Sequence, residues 1–437
     1  MKKVYIAISA DVLHQGHINV INEGKKYGDV IIGLLTDEAI ATYKRMPLLT
    51  YDDRFQIYNN IKGVVEVVPQ TTLDYTENLL KLKPDFVVHG DNWREGVQSK
   101  IREKVIETLK GWNGELIEVP YTKGVTATNI EKEMRELTNT PDNRRARLKK
   151  LLGLKKTLSF MEASNGLSGL IVEHANVEDL DTATSKEFDG MWISSLCDSS
   201  FKGKPDIELV DLTSRLRTIE EIMEVTTKPI ILDGDTGGKT EHFAYNVRTL
   251  ERLGVSAIII EDKTGLKQNS LFGTDAKQIL EDPVEFSAKI RAGKKAQITK
   301  DFLIFARVEA LIAGYGLEEA LTRSRMYIED GGADGIMIHS KEKDGSEIKE
   351  FLRRFRLEYT TVPVILVPTS YSQFTEEELG QWGANIIIHA NHLLRSAYPA
   401  MKKTAESILQ HHRSKEASKE YCISINEVLN LIPGTKQ

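Results

Sequence analysis

The fold of the larger part of this chain is decided by the stretch Val255-Ser256-Ala257-Ile258-Ile259-Ile260-Glu261-Asp262-Lys263. A short apolar run that ends abruptly in charged residues predicts a buried strand that opens into a polar loop. Seven further runs of this kind follow residue 156, mostly at helix-length intervals. Eight strand–helix units predict a (β/α)₈ barrel, whose active site lies at the C-terminal ends of the strands. The predicted strands are Leu158–Glu162, Met191–Ser194, Pro229–Asp233, Val255–Glu261, Phe302–Val308, Gly335–His339, Val362–Val367 and Ile386–His389.

The first third of the chain shows a second alternation of strand and helix patterns, between residue 1 and about residue 134. Such alternation predicts a parallel α/β sheet, here of the Rossmann-like type. The predicted strands are Val4–Ser9, Asp29–Thr36, Gly63–Pro69, Phe86–His89 and Glu115–Val119.

A polar and then strongly basic segment, from Asn139 to Lys150, separates the two parts. It could be a basic tail that binds nucleic acid, or a solvated linker or short exposed helix, and the overall acidity of the chain favours the second interpretation. We therefore expect a nucleotide-binding domain at residues 1–138, a linker at 139–155 and the barrel at 156–437. Because the linker is polar, we expect the two sites to work independently.

Composition limits the classes of function. A net charge of −6, from 58 basic and 64 acidic residues, gives no electrostatic footprint for nucleic acid. The two cysteines cannot form a disulfide framework and suit a reducing cytoplasm. No apolar run approaches the roughly 18 residues that a membrane helix needs. We expect a cytoplasmic homo-oligomer, a dimer or a tetramer, that binds neither nucleic acid nor membrane.

Carboxylates cluster where two neighbouring barrel strands end. Asp233 and Asp235 lie two residues apart, so they share one face while the chain stays extended, and Glu261 ends the next strand. Converging carboxylates with room for water are the ligands that Mg²⁺ prefers. The rival interpretations are a calcium loop, which Ala244 at its twelfth position disfavours, and an acidic turn without metal.

Two cationic or hydrogen-bonding side chains end the following strands. Arg307 closes the run from Phe302, and His339 closes the run from Gly335. A guanidinium at a barrel mouth suits a bidentate contact to phosphate, and the histidine could add a second contact.

The loop from Glu261 to Ser270 resembles the Glu-Asp-Lys-x-x-x-Lys-x-Asn-Ser signature of the phosphoenolpyruvate mutases, which form carbon–phosphorus bonds. The resemblance extends over roughly residues 156 to 430 and includes Asp233-Gly234-Asp235-Thr236-Gly237 and Ala306-Arg307-Val308-Glu309-Ala310. The related isocitrate and methylisocitrate lyases carry a cysteine motif in this loop, which is absent here. The resemblance to the mutases implies that Asp233 binds Mg²⁺ directly and that Asp235 and Glu261 act mostly through water. It implies that backbone amides near Ser195 and Leu196 hold the enolate or carboxylate. It also implies that the phosphoryl group is surrounded by Trp192, Ser194, Asn269, Arg307 and His339, that Lys267 lies in a gating loop, and that Asp206 is a further active-site acid.

Two positions depart from the mutase pattern. Ser195 stands where members often have glycine, and Gly265-Leu266 stands where they often have an aromatic–proline pair. Asn269 separates mutases from the related phosphonopyruvate hydrolases, which differ at this position. The alternative for the barrel is such a hydrolase.

A second motif, His14-Gln15-Gly16-His17, follows the first strand and leads into a helical stretch. The edge of a parallel sheet next to a helix N-terminus is a favourable place for a triphosphate. With the run from Pro84 to Trp93 and Gly124-Val125-Thr126-Ala127-Thr128, the motif resembles the cytidylyltransferases that act on glycerol 3-phosphate and ethanolamine phosphate. The resemblance implies catalytic roles for His14, His17 and Lys44, and nucleotide binding by these residues together with Arg54, Asp91, Thr126 and Thr128.

The same N-terminal segment departs from the family at its late motif, where Tyr121 and Lys123 replace an arginine and a glutamate. The departure favours a different anionic acceptor. Together, the two halves are similar to the bifunctional enzymes of fosfomycin biosynthesis, which implies C–P bond formation with Mg²⁺ and transfer of CMP from CTP to 2-hydroxyethylphosphonate. The alternatives are 2-aminoethylphosphonate as the acceptor, or an N-terminal domain that only senses nucleotide.

Overall fold

Two structural units follow one another along the chain, and both place strand ends at a candidate site. The structure, a computed structural model, describes residues 2–432 except 10, 44, 95–97, 121–133, 180–183, 266 and 276–277. Both predicted fold classes are confirmed, a parallel α/β sheet followed by a closed barrel.

The N-terminal unit is a five-stranded parallel sheet with the order β3-β2-β1-β4-β5. The chain therefore reverses its direction of winding beside β1, and the ends of β1 and β4 meet at one edge, where ligands of such sheets bind. The strands are β1 (Lys3–Ile8), β2 (Asp29–Leu35), β3 (Val64–Gln70), β4 (Phe86–Gly90) and β5 (Glu115–Val119). The helices are α1 (Gln15–Gly24), α2 (Asp37–Ala41), α3 (Tyr51–Asn59), α4 (Thr76–Leu82) and α5 (Ser99–Leu109).

The C-terminal unit is a closed barrel of eight parallel strands. Phe160, Ile231, Ile259 and Phe305 pack together in its interior, as the alternation of side chains along each strand requires. The barrel strands are β6 (Leu158–Glu162), β9 (Gly190–Ile193), β10 (Ile230–Asp233), β11 (Ala257–Glu261), β12 (Leu303–Val308), β13 (Gly335–Ile338), β14 (Val364–Leu366) and β15 (Ile386–His389). The helices around and beyond it are α7 (Gly166–His174), α8 (Ser195–Phe201), α9 (Leu212–Met223), α10 (Thr240–Leu253), α11 (Pro283–Ala296), α12 (Gly316–Glu329), α13 (Ser346–Glu358), α14 (Glu376–Trp382), α15 (His392–His411), α16 (Lys415–Glu420) and α17 (Ile425–Leu431).

An antiparallel hairpin, absent from the predicted elements, lies between helix α7 and strand β9. Its strands are β7 (Asn176–Asp179) and β8 (Thr184–Glu187). The two strands are short and polar, so they carry little of the alternating apolar pattern from which a strand is predicted.

The expectation of a solvated segment between the domains is wrong. Residues Pro141–Leu154 form helix α6, and Leu148 and Leu151 pack in the same cluster as the barrel interior. Arg144 donates to the carbonyl oxygens of Met223 and Thr226, each at 3.1 Å. Arg144 and Arg145 of α6 thus bind carbonyl groups below the barrel, while Leu148 and Leu151 close the N-terminal end of the barrel.

The N-terminal unit contacts the barrel through Arg45. Its guanidinium donates to the Glu173 carboxylate at 2.7 Å and to Glu187 at 3.1 Å.

Among the described residues, no helix combines the length and the apolar character that crossing a membrane requires.

Candidate active sites

A cavity of about 70 Å³ lies at the mouth of the barrel, where the sequence predicts the site. The register places Glu261 beside Arg307, and Asp233 beside Ile259. The polar side chains therefore project from adjacent strand ends. Of the predicted site residues, the cavity brings together Trp192, Ser194, Ser195, Leu196, Asp206, Asp233, Lys267, Asn269, Arg307 and His339.

Asp233 is held in its charged form at the end of β10. Burial would raise the pKa of its carboxyl, but the charges of Lys267, Arg307 and Arg215 outweigh burial and hold that pKa at about 2. Ser195 donates to its Oδ2 twice, from the backbone N–H at 3.1 Å and from Oγ at 2.9 Å. The serine that departs from the mutase pattern thus uses its hydroxyl as well as its amide.

Lys267 joins the loop that follows β11 to the carboxylates of the cavity. Its side chain is 3% exposed, and its ammonium donates to Ser195 Oγ at 2.9 Å, to Asp206 at 3.1 Å and to Asp235. Burial lowers the pKa of this lysine, but the surrounding carboxylates more than reverse that effect and raise it. The loop is therefore closed over the cavity by a buried cation.

Asn269 lies beside the same acid. Its amide Nδ2 donates to Asp206 at 2.6 Å, and its Oδ1 accepts from the Leu271 N–H at 3.0 Å. Asp206 therefore binds both loop residues that the mutase signature singles out, although it lies in a separate segment of the chain.

Glu261 is the residue whose state best tests the fit of a metal. Both of its carboxylate oxygens are buried and form no hydrogen bond, and the nearest cationic atoms are those of Arg307 at 3.3 Å and Lys263 at 3.7 Å. Burial raises the pKa of Glu261 to about 7. Buried hard oxygens without hydrogen bonds suit a hydrated divalent cation.

No group of three or more His, Cys, Asp or Glu side chains in the described part of the chain converges closely enough to enclose an ion. Asp235 is engaged by Arg215 at 2.9 Å and by Lys267. A cation held by one direct carboxylate, with water between it and the others, fits this donor set. A fully protein-ligated ion does not.

Arg307 and His339 line the same cavity. Arg307 donates through Nε to Glu309 at 2.5 Å and through a terminal nitrogen to Ser270. His339 has a buried Nε2 without a hydrogen bond, and burial together with Arg307 lowers its pKa to about 3. A neutral histidine and a guanidinium thus line the cavity together with the Asp233 carboxylate.

The sequence interpretation missed Arg215, Lys263 and Glu309. Arg215 is buried and donates to the Asp233 carbonyl oxygen and to the Asp235 carboxylate. Lys263 and Glu309 form a buried ion pair at 3.0 Å beneath Arg307. Lys263 and Glu309 fall inside the quoted signatures, so the motifs carried the signal, whereas Arg215 lies in an ordinary amphipathic helix.

A larger cleft, of about 1220 Å³, opens at the edge of the N-terminal sheet. His14 and His17 line it with their ring centroids 3.8 Å apart, and His89 stacks on Trp93 at the same centroid distance. The barrel unit also contributes to its wall, through residues that include Asn176 and Thr227.

The start of α1 orients the two motif histidines. His14 is the N-cap of α1, and its Nδ1 accepts from the Gly16 N–H at 3.1 Å. His17 Nδ1 in turn accepts from the His14 N–H at 3.4 Å. Burial lowers the pKa of His14. The backbone bonds thus engage Nδ1 of both rings and fix the orientation of the rings at the start of α1.

The predicted nucleotide-binding role of Arg54 needs correction. Arg54 is fully buried and does not line the cleft; it donates to the carbonyl oxygens of Ser9 at 2.6 Å and Leu35 at 2.8 Å. The guanidinium also pairs with Asp37 at 2.5 Å. It therefore ties the ends of β1 and β2 together.

Asp91 is the first residue of a 3₁₀ turn that extends to Arg94. Its neighbours along the chain, Gly90 and Asn92, both line the cleft. Lys44, Thr126 and Thr128 lie outside the described residues, as do Tyr121 and Lys123.

Comparisons with known proteins agree with this division. The family described as phosphoenolpyruvate phosphomutase matches residues 148–409, and the cytidylyltransferase-like family matches residues 9–133. Phosphoenolpyruvate phosphomutase from Tetrahymena pyriformis is 41% identical over 257 residues, which are 58% of this chain and 80% of the relative.

Two solved structures resemble the barrel unit. The phosphoenolpyruvate phosphomutase of Streptomyces platensis subsp. rosaceus has a TM-score of 0.58 and 34% identity, over 66% of this chain and 94% of that one. A phosphonopyruvate hydrolase in complex with oxalate and Mg²⁺ has a TM-score of 0.56 and 32% identity, over 67% and 94%. The chain belongs to the phosphoenolpyruvate phosphomutase family and carries a cytidylyltransferase-like domain before its barrel.

Proposed function

We propose that the barrel interconverts phosphoenolpyruvate and 3-phosphonopyruvate. The observation that carries this proposal is a small cavity that brings the Asp233 carboxylate and the Lys267 ammonium together with the donors of Arg307. These groups match a substrate whose enolate end needs a cation and whose phosphoryl end needs donors.

The chemistry requires no protein nucleophile. The phosphoryl group leaves the enolate oxygen and is taken up by carbon 3 of the same enolate, so positioning and charge stabilisation carry most of the catalysis. Arg307, His339 and Asn269 would hold the phosphoryl group, and the closed loop would exclude the water that otherwise yields pyruvate and phosphate. Leu271 lines the same cavity and adds an apolar surface to this closure.

Mg²⁺ is the proposed cofactor. Asp233 would bind it directly, and Asp235 and Glu261 would act through water, which agrees with the two Glu261 oxygens that form no hydrogen bond. When bound, Mg²⁺ supplies positive charge that stabilises the enolate. The solved hydrolase relative was crystallised with this ion and oxalate.

The second candidate function is that of a phosphonopyruvate hydrolase. It is supported by sequence identity, since the chain is 32% identical to the solved hydrolase and 34% identical to the solved mutase. The position of Asn269 on Asp206 favours the mutase. Phosphonopyruvate supplied with Mg²⁺ should give phosphoenolpyruvate, and Asp233→Ala should abolish this conversion, whereas Asp330→Ala, on an exposed carboxylate, should not. Pyruvate and phosphate as the main products would contradict the mutase assignment.

For the N-terminal domain, we propose transfer of CMP from CTP to a phosphonate, with 2-hydroxyethylphosphonate preferred over 2-aminoethylphosphonate. Support comes from His14 and His17 at the cleft and from the matching cytidylyltransferase-like family. Proposed nucleotide contacts of Lys44, Thr126 and Thr128 complete the site. The preference rests on the charge of Lys123, which would repel an ammonium by about 1 kcal/mol if solvent-exposed.

Pyrophosphate release with each acceptor tests the transferase proposal. His17→Ala should remove release and leave the mutase unchanged, while His242→Ala, on an exposed barrel histidine, should change neither. CTP binding without turnover on any phosphonate would favour a nucleotide sensor, and faster turnover with the amine would reverse the acceptor order.

The cytoplasm is the proposed setting, which the free cysteines Cys197 and Cys422 suit.

A further inference from the structure

A second cavity, of about 590 Å³, lies between the N-terminal unit, helix α6 and the outside of the barrel. It is separate from the barrel mouth and shares Arg45 and Arg135 with the cleft that contains His14 and His17. Its lining contains six basic residues and three acidic ones. The basic residues are Arg45, Arg135, Arg147, Lys155, Lys186 and Lys228.

Several of these cations have carboxylate partners within the wall. Arg45 and Lys228 share Glu187, at 3.1 and 2.8 Å, and Lys155 pairs with Asp189 at 2.6 Å. The acids of the cavity are therefore already engaged by other bases.

Arg147 differs from its neighbours. In the described part of the chain it forms no hydrogen bond or ion pair, although it projects from α6 into the cavity. Burial, reinforced by Arg135, Arg144 and Arg45, lowers the pKa of Arg147 to about 10. Glu173 offsets this effect only in part, because its carboxylate is already paired with Arg45 at 2.7 Å. A half-buried guanidinium that contacts no carboxylate is costly unless something pairs with it.

We propose that this cavity binds a small anion bearing a phosphoryl or phosphonyl group, with Arg147 as its principal contact. A guanidinium forms bidentate hydrogen bonds with the oxygens of such groups, which matches the donors that Arg147 leaves unused. Met46, Leu151 and Phe188 line the cavity as well, so a short organic tail would find apolar surface. The anion would bridge the two units of the chain, because the wall comes from both.

The test compares three substitutions on the same helix in the full-length protein. Arg147→Gln removes the proposed contact, Lys150→Gln removes an exposed charge, and Arg144→Gln removes a buried arginine that holds carbonyl groups. Titration with inorganic phosphate and with 2-hydroxyethylphosphonate at constant ionic strength should show one binding event. Arg147→Gln should weaken this binding at least about tenfold, which is about 1.4 kcal/mol. Lys150→Gln should leave it unchanged.

Thermal unfolding separates a ligand-binding role from a structural one. Without anion, Arg147→Gln should melt no lower than the wild type, because no partner is lost, whereas Arg144→Gln should melt lower. The increase in melting temperature caused by phosphate should be smaller in Arg147→Gln than in Lys150→Gln. Equal anion affinity in all variants, or a changed oligomeric state in Arg147→Gln without altered anion binding, would overturn the proposal.

The source of the anion follows from activity measurements on the same variants. A higher KM for the phosphonate acceptor in Arg147→Gln, with kcat retained, would identify the acceptor of the proposed transferase. Altered anion binding with unchanged transfer would identify an effector site. Either result supports an anion site at Arg147, and both are independent of whether the barrel proves to be a mutase or a hydrolase.

Discussion

At the residue scale, Ser195 shows how one departure from a family pattern acquires a function. Its hydroxyl donates to Asp233 and accepts from Lys267, so it joins the proposed metal ligand to the loop that closes the cavity. A glycine at this position would keep only the backbone N–H bond to Asp233.

We expect Ser195→Ala to lower mutase kcat by at least about tenfold, because a hydrogen bond to a charged group contributes about 1.5–3 kcal/mol. The remaining backbone bond should preserve the fold. Steady-state kinetics with phosphonopyruvate measure the effect, and Ser199→Ala on the same helix is the control. A kcat equal to that of the wild type would show that the amide alone positions Asp233.

Glu261 should make the proposed binding of Mg²⁺ dependent on pH. Burial raises the pKa of the Glu261 carboxyl to about 7. The protonated carboxyl therefore contributes to the stability of the fold below the ordinary pKa of a glutamate, and this contribution is lost as the pH rises through about 7. Mg²⁺ binding requires the ionised form, so affinity should rise by up to about tenfold per pH unit between about pH 5 and 7. Isothermal titration at several pH values measures this, and Glu261→Gln should flatten the profile. An equally steep profile in Glu261→Gln would assign the proton to another group.

At the element scale, helix α6 has a structural role that its basic composition does not indicate. Its composition is strongly basic, yet Arg144 and Arg145 bind backbone carbonyl groups, and Leu148 and Leu151 pack with the barrel interior. Long cationic side chains can bury their stems while the head finds a polar partner, so charge alone is a poor guide to exposure.

Leu148→Ala should destabilise the barrel by about 2–5 kcal/mol, because Leu148 is fully buried and its loss leaves a cavity below the barrel interior. Leu357→Ala, at a position 76% exposed, is the matched control and should change little. Urea unfolding followed by mutase activity and circular dichroism gives both values. Equal midpoints for the two variants would mean that α6 does not close the barrel.

The position of α6 also changes how the halves of the chain can be separated. A fragment that starts at residue 139 should retain mutase activity, whereas one that starts at residue 156 lacks α6 and should be unstable. A cut at residue 150, inside α6, should behave like the second fragment. Comparable yield and activity of the fragments from 139 and from 156 would show that the barrel folds without this helix. The N-terminal fragment is expected to lose part of its cleft wall, so its transferase activity should fall below that of the whole chain.

At the scale of the whole molecule, the C-terminal helices leave apolar side chains in solvent. Tyr398, Met401 and Leu409 on α15 are all more than half exposed. Contiguous exposed apolar surface marks interaction sites, and symmetric self-association is the commonest way to cover it. These helices support the prediction of a homo-oligomer.

Light scattering should therefore give a dimer or a tetramer. Met401→Glu with Leu409→Glu should shift the mass towards the monomer, since buried charges are costly at an interface. Lys402→Glu, an exposed residue of the same helix, is the control. A monomeric wild type would contradict the prediction.

Particular residues show what the sequence alone determined. Each barrel strand was predicted within two residues at its ends, because an apolar run bounded by polar residues must be buried, and this requirement is local. The residues that line the barrel mouth could be predicted for the same reason, since they end those strands or lie in signature motifs.

Tertiary structure alone decided the partners. Lys267 meets Asp206 and Asp235, Arg215 meets Asp235, and Arg45 meets Glu173 across distances of 20 to 128 residues along the chain. Arg54, Arg144 and Arg145 are structural because each donates to backbone carbonyl groups that folding brings close. Arg147, on the same helix as the last two, meets no such acceptor among the described residues. Such outcomes depend on which chain segments meet after folding, which local periodicity and charge do not encode.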